Sequence, residues 1–178
     1  MRYHQAMFRK ELYRQPLPTQ PGRTFERKAV RAVIYQHHKL LMVYSANVGD
    51  YKFPGGGILP GESHLEALKR ETREEVGAAL MQMGTLLGLM DEFDLAIEPG
   101  YEFFKMTSFY YPVSIQKHLT HQHLDDYEKE LGFTPAWVSL EEAIQTNQEI
   151  LKNPHLRMPC WTQRELEVLR ELQLLYED

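Results

Sequence analysis

Between Gly56 and Ala78 the chain reads GGILPGESHLEALKRETREEVGA, a glycine-rich turn followed by a segment dense in acid. Glu71, Glu74 and Glu75 are the residues whose type and spacing could do chemistry. On a helix, which advances 100° per residue, their carboxylates lie within roughly 100° of one another. Like charges that close destabilise a bare helix, so a chain keeps such a cluster where something positive sits on it. Hard divalent cations such as Mg²⁺ take carboxylate oxygens and usually bring phosphate oxygens with them. The plainer reading is a solvated face laced with i,i+4 pairs such as Glu66–Arg70. The glycine turn, Glu62 and Arg70, all in register with the acids, favour chemistry over that reading.

The acids need a helix to carry them, and the flanking residues supply one. Leu65, Leu68, Thr72 and Val76 form a separate stripe expected to meet the core. Ser63 is a fair N-cap with Glu66 three residues into the helix, a capping-box pattern, and Gly77 is a natural stop. Gly55, Gly56 and Gly57 let the backbone approach a neighbour closely, and Pro60-Gly61 turns the chain before the helix.

Around this segment the pattern is mixed α/β. Ala29–Tyr35 and Leu40–Tyr44 read as strands joined by a Gln36–Lys39 hairpin turn, with His37 and His38 in the turn rather than on a metal. Tyr51–Phe53 is a short strand, Ala79–Phe93 a strand or bent strand, and Glu102–Ile115 a long strand without strict alternation, which implies burial on both faces or a bulge. Its aromatics, with Tyr101, Phe103, Phe104, Phe109, Tyr110 and Tyr111 among them, are expected mostly in the core, with base stacking by one of them as the alternative. Gln116–Gly132 reads as a hydrated loop. Its His118, His121 and His123 lack the cysteine partners of a zinc site. Phe133–Val138 reads as a strand, Ser139 caps a helix beginning at Leu140, Asn153–Pro159 links, and Thr162–Leu175 is an amphipathic helix suited to packing or to homodimer formation.

Three segments follow: an arm and linker over residues 1–25, a catalytic domain over 26–152, and a linker with a terminal helix over 153–178. The prolines at 16, 18 and 21 stiffen the first, so Met1–Tyr13 is expected to pack apart, as a structural strand or partner contact rather than a catalytic element. The chain of 178 residues is 43% hydrophobic, enough for a sizeable core. A net charge of −5 implies no general nucleic-acid or membrane-surface affinity. One cysteine, Cys160, suits a reducing compartment, and the opening residues contain no apolar run long enough for a signal peptide or span, so cytoplasm is the expectation.

Gly56, Glu62, Arg70, Glu71, Glu74, Glu75 and Gly77 stand at fixed offsets, preceded by Phe53-Pro54-Gly55. Together they resemble the signature of the Nudix hydrolases, with Thr72 and Ala78 at soft positions where that family prefers bulkier apolar residues. The resemblance implies a Nudix-type α/β/α sandwich with a mixed β-sheet. It also implies Mg²⁺, or alternatively Mn²⁺, held by Glu71, Glu74 and Glu75 with a backbone carbonyl at Gly55 or Gly56. Gly55, Gly56, Gly57 and Glu62 would contact substrate, and Arg70 would orient the acids and pair with Glu62. A loop acid, Glu128 or Glu130, would be a candidate base. No nucleophile triad or P-loop pattern competes, and water attacking a phosphoanhydride with metal assistance fits best. The expected activity is hydrolysis of a nucleoside diphosphate linked to another group, with a nucleoside triphosphate or related small nucleotide favoured. ADP-ribose, dinucleoside polyphosphates and nucleotide sugars are the alternatives, and a non-catalytic nucleotide-sensing module is the reading from a different class.

Overall fold

Strands whose residues are buried on both faces mark the centre of the molecule. In a computed structural model that describes residues 7–153 and 160–176, the elements run β1 Phe8–Tyr13, β2 Thr24–Val33, β3 Tyr35–Gln36, β4 Lys39–Ser45, β5 Asp50–Lys52, α1 His64–Val76, β6 Leu80–Met83, β7 Gly88–Leu95, β8 Phe103–Ile115, α2 Asp126–Glu130, β9 Phe133–Val138, α3 Leu140–Lys152 and α4 Thr162–Tyr176. One sheet has the order β1-β7-β8-β2 with β6 also on β8. The other has β3-β4-β5 with β9 also on β4. The pairing is mixed: β1 is parallel to β7 and β2 to β8, whereas β7 and β8 are antiparallel.

Alternation along the central strands sorts the core into two layers. Val30, Ala32 and Ile34 of β2 and its continuation, with Leu41 and Val43 of β4, pack against Ala67, Leu68 and Val76 of α1. Val33, Leu40 and Met42 face the other way, against Ala143 of α3 and Val168, Leu169 and Leu172 of α4. Helices thus flank the strands on both sides, the mixed α/β sandwich expected. The hairpin turn also falls at the expected place. His37 and His38 have φ of 49° and 61°, the left-handed pair that a two-residue turn between β3 and β4 requires.

The first segment holds the structural strand expected but does not pack apart. Phe8–Tyr13 is no separate arm but a strand of the sheet, paired residue for residue with β7 from Phe8↔Gly88 to Tyr13↔Phe93. Phe8 and Leu12 are buried in the core cluster. A buried ion network strengthens the attachment. Glu92 of β7, fully buried, accepts from Arg14 Nη2 at 2.8 Å and from Arg164 Nη1 of α4 at 2.9 Å. Burial opposes ionisation of Glu92, but the two guanidiniums outweigh it and hold its carboxyl below the usual range. Breaking a buried pair costs about 3–5 kcal/mol, whereas an exposed pair such as Lys152–Glu149 contributes about 0–1 kcal/mol. The prolines that suggested a linker lie beyond this anchored strand.

Smaller differences have local causes. Ala79–Phe93 divides into β6 and β7, and the irregularity anticipated for β8 sits in its pairing with β6, between Leu80 and Gln82. The polar loop contains α2, which Asp125 caps by accepting from the Glu128 backbone N–H at 2.8 Å. Most of the expected Asn153–Pro159 linker lies outside the described residues. Among those residues, no helix is long and apolar enough to cross a membrane.

Candidate active site

The glycine loop is held against β2, whose other edge is taken by β8. Val30 N–H donates to Gly56 O at 3.0 Å, Ala32 N–H to Pro54 O at 2.7 Å, and Ile58 N–H to Lys28 O at 3.0 Å. Gly55 has φ of 145°, and a side chain there would strike the Val30 carbonyl. At Gly56 the first side-chain carbon would collide with the Glu71 carboxylate. Glycine at these two positions is therefore what lets helix α1 bring its acids onto the loop.

Helix α1 begins and ends where its sequence indicates. Ser63 accepts from the Glu66 backbone N–H while the Glu66 side chain accepts from the Ser63 N–H, and Gly77 closes the helix at φ of 65°. Ala67, Leu68, Thr72 and Val76 are fully buried against the strands. That fixes the rotation of the helix, and with it the direction of the acids.

The three glutamates then divide. Glu71 and Glu75 are buried at the loop, with 8% and 1% of their surface exposed, and Glu74 is half-buried. Burial pushes the Glu71 carboxyl up, and the charge of Glu75 adds to the effect; Arg70 and Arg31 oppose it. Glu75 accepts from Gly55 N–H at 2.7 Å and pairs with Lys52 of β5. Arg70 is the hub. Its Nε and Nη2 form a fork on Glu62, each at 2.8 Å, Nη2 also donates to Gly57 O at 2.9 Å, and Nη1 reaches Glu71 at 2.5 Å and Glu74 at 3.4 Å. The bond to Arg70 in turn holds the Glu62 carboxyl low. Glu66, offered by the sequence as an i,i+4 partner for Arg70, is instead taken by its own cap.

Of the two loop acids, Glu128 is near the cluster. Burial, helped by the charges of Glu75 and Asp125 and opposed by the Asp125 N–H and Lys52, pushes its carboxyl up to about 7. Glu130 is exposed at the far end of α2, where its carbonyl accepts from Asn47. The three histidines of this loop are exposed.

Paired carboxylates buried beside backbone carbonyls, one raised by burial and by the charge of the other, have the oxygen-only chemistry that a hard divalent cation takes. They are not a finished cage: among the described residues no three acidic, histidine or cysteine side chains converge on one point. Arg70 and Lys52 occupy the carboxylates instead.

Sequence reasoning missed the supporting cations. Lys52 stands over the rings of Phe133 at 4.5 Å and Trp161 at 5.9 Å, besides pairing with Glu75. Arg31 donates to Gly55 O from within the core. Asp50, on the same side of β5 as Lys52, accepts from Trp161 Nε1 at 2.9 Å and Thr162 Oγ1 at 2.8 Å, tying the start of α4 to the site. Charges at alternate positions of so short a strand were a signal that the strand faces something polar.

Comparison with known proteins bears on the family and the fold. A family model described as NUDIX domain matches residues 25–160. A NUDIX hydrolase from Nitrosomonas europaea superposes with a TM-score of 0.52 at 25% identity, over 83% of this chain and 90% of that one. The E. coli ORF135 protein superposes at 0.50 with 22% identity, over 85% and 93% of the two chains. A structure described as an ADP compounds hydrolase gives 0.48 at 22%, over 85% and 73%. No curated protein matches the chain.

Proposed function

The chain belongs to the Nudix hydrolase family, and from that premise we propose that it is a Mg²⁺-dependent pyrophosphohydrolase cleaving a phosphoanhydride in a nucleoside diphosphate linked to another group. A nucleoside triphosphate or related small nucleotide is the favoured substrate, with ADP-ribose and dinucleoside polyphosphates as alternatives. One observation carries the reading: Glu71 and Glu75 are buried together on the Gly55–Gly56 backbone, Glu71 against Gly56 and Glu75 accepting the Gly55 N–H.

Glu71, Glu74 and Glu75, with a loop carbonyl, would hold the metal, which when bound neutralises the diphosphate and acidifies water. The residues of the chain do the rest. Arg70 positions the acids from its fork on Glu62, and the glycine loop lets the diphosphate approach the backbone closely. Glu128 is assigned the proton: its carboxylate takes it from the attacking water, which a carboxyl poised near neutrality does efficiently. Lys52 and Arg70 pair with the same carboxylates and so balance part of their charge.

Two measurements test this. Purified protein incubated with a nucleotide panel, with and without Mg²⁺, is expected to turn over at least one substrate only when the metal is present. A folded, metal-replete sample inert to the whole panel removes the catalytic reading and leaves nucleotide sensing. Glu128 works as a base only when ionised, so kcat/KM is expected to fall about tenfold per pH unit on the acid side, with a midpoint at or below about 7. Rising Mg²⁺ should move that midpoint to lower pH, since a cation beside the carboxyl favours its charged form. An acid limb that survives unchanged in Glu128→Gln takes the role away from Glu128.

A further inference from the structure

Beyond the glycine loop lies a cavity of about 290 Å³ whose walls include Arg14, Arg27, Glu98, Phe104 and Met106. Sheet register gives its direction. Gly57 bridges to Ala29, which stands beside Ser108. Two residues along, Arg27 stands beside Met106, and four along, Phe25 stands beside Phe104, whose other neighbour is Asp94. At about 3.3 Å per residue, Phe104 lies about 13 Å from the level of the loop. Glu98 lies farther still, in the turn between β7 and β8.

The two ends differ in chemistry. At the near end, Arg27 Nη2 lies 3.2 Å from where a Gly57 side chain would begin, and Arg27 is exposed and makes no ion pair among the described residues. At the far end the charges are Asp94, Glu98 and Arg14, whose Nη1 stands 3.8 Å from Asp94. Asp94 already accepts from Gln15 and from the Leu95 N–H and pairs with Arg14, but Glu98 Oε2 is buried without a partner among the described residues. Arg14 Nε is likewise buried and unpartnered among the described residues, while the Arg14 guanidinium lies 6.0 Å from the Phe104 ring centre. A phosphate is welcome beside Arg27, whereas at the far end the Arg14 charge is already taken by Glu92 and Asp94, which leaves Glu98 to repel it. A flat, neutral group is suited to the far end, with Phe104 and Met106 for its faces, Glu98 for a donor and Arg14 Nε for an acceptor.

Building on the pyrophosphohydrolase reading, we propose that this cavity seats the nucleobase of the substrate and selects one bearing an exocyclic amino group. An amino group offers N–H donors to Glu98 Oε2. The ring N–H of uracil is flanked on both sides by carbonyl oxygens that a carboxylate repels. At about 290 Å³ the cavity falls just below the roughly 300–1,000 Å³ usual for small-molecule sites, a size that suits a single base. Arg27 spans the gap, holding the phosphate that joins the seated nucleoside to the reacting diphosphate.

The test uses full-length protein with Mg²⁺ and matched substrates that differ only in the base. Adenine, guanine and cytosine substrates are expected to exceed the uracil substrate about ten- to hundredfold in kcat/KM, the effect of one hydrogen bond to a charged group. Glu98→Gln should erase most of that preference, with the change in KM. Arg27→Ala should raise KM for all four bases together, and Phe104→Leu should do the same by removing the stacking face. Equal kcat/KM for amino and uracil substrates overturns the proposal, as does a preference untouched by Glu98→Gln in a protein of wild-type melting temperature. Calorimetry with AMP and UMP in the absence of metal separates this from the reaction itself. Tighter AMP binding that Glu98→Gln abolishes upholds the pocket even if no substrate is cleaved, and equal or undetectable binding of both overturns it.

Discussion

Glu74→Gln is expected to lower kcat by about 10²–10³-fold while leaving the melting temperature unchanged. The size follows from removing one charged oxygen donor from the proposed metal site. Several kcal/mol of transition-state stabilisation is at stake there, and each 1.36 kcal/mol is tenfold in rate. The unchanged stability follows from the surroundings of Glu74, which is half-buried and has only a 3.4 Å contact with Arg70. Glu75→Gln should lose as much activity but for two reasons at once. Its carboxylate is nearly inaccessible, pairs with a buried Lys52, and accepts the Gly55 N–H. Gln keeps the hydrogen-bonding shape and leaves the ammonium without a countercharge, at a cost of about 3 kcal/mol, or roughly 6–12 °C in Tm. Steady-state kinetics with thermal melts separate the two variants. Wild-type kcat in Glu74→Gln would take that residue out of the site, and an unshifted Tm in Glu75→Gln would show that Lys52 does not depend on it.

Replacement of Arg70 should reveal a residue that acts only through its neighbours. Its guanidinium grips Glu62 with two nitrogens and also meets Gly57 O, Glu71 and Glu74. Arg70→Ala strands Glu62 and the buried Glu71, and is expected to cost about 2–4 kcal/mol of stability and at least 10² in kcat. Lysine restores the charge but not the fork, because an ammonium is a single point with no second nitrogen in plane. Arg70→Lys should therefore recover most of the stability and stay about tenfold below wild type in kcat. Full activity in Arg70→Ala would show that the acids hold their places unaided.

Much of this was legible beforehand because it is local. The capping box of Ser63 and Glu66, the stop at Gly77, and the spacing of Leu68, Thr72 and Val76 specify a helix and its inward face from neighbours in sequence alone. The turn at His37-His38 is local in the same sense. A structural strand was expected in the first segment, but its partner was not legible. Phe8–Tyr13 has few residues and alternates only loosely, and its place beside β7 depends on partners some eighty positions away. The same holds for the Glu92 network, whose members come from the end of β1, from β7 and from α4.

Within the site, the sequence by itself determined which residues form the acidic cluster and that they share one helix face, because helical geometry converts spacing into direction. Only the tertiary structure decided that the cluster is unequal. Helix α1 is rotated by its buried stripe, so Glu71 and Glu75 turn into the glycine loop and Glu74 turns toward solvent. It also decided which counterions meet them, Arg70 from the same helix but Lys52 and Arg31 from strands of different sheets, and which loop acid comes near. Those contacts follow from how β2, β5 and the loop around α2 pack around one another, a relation that no interval along the chain encodes.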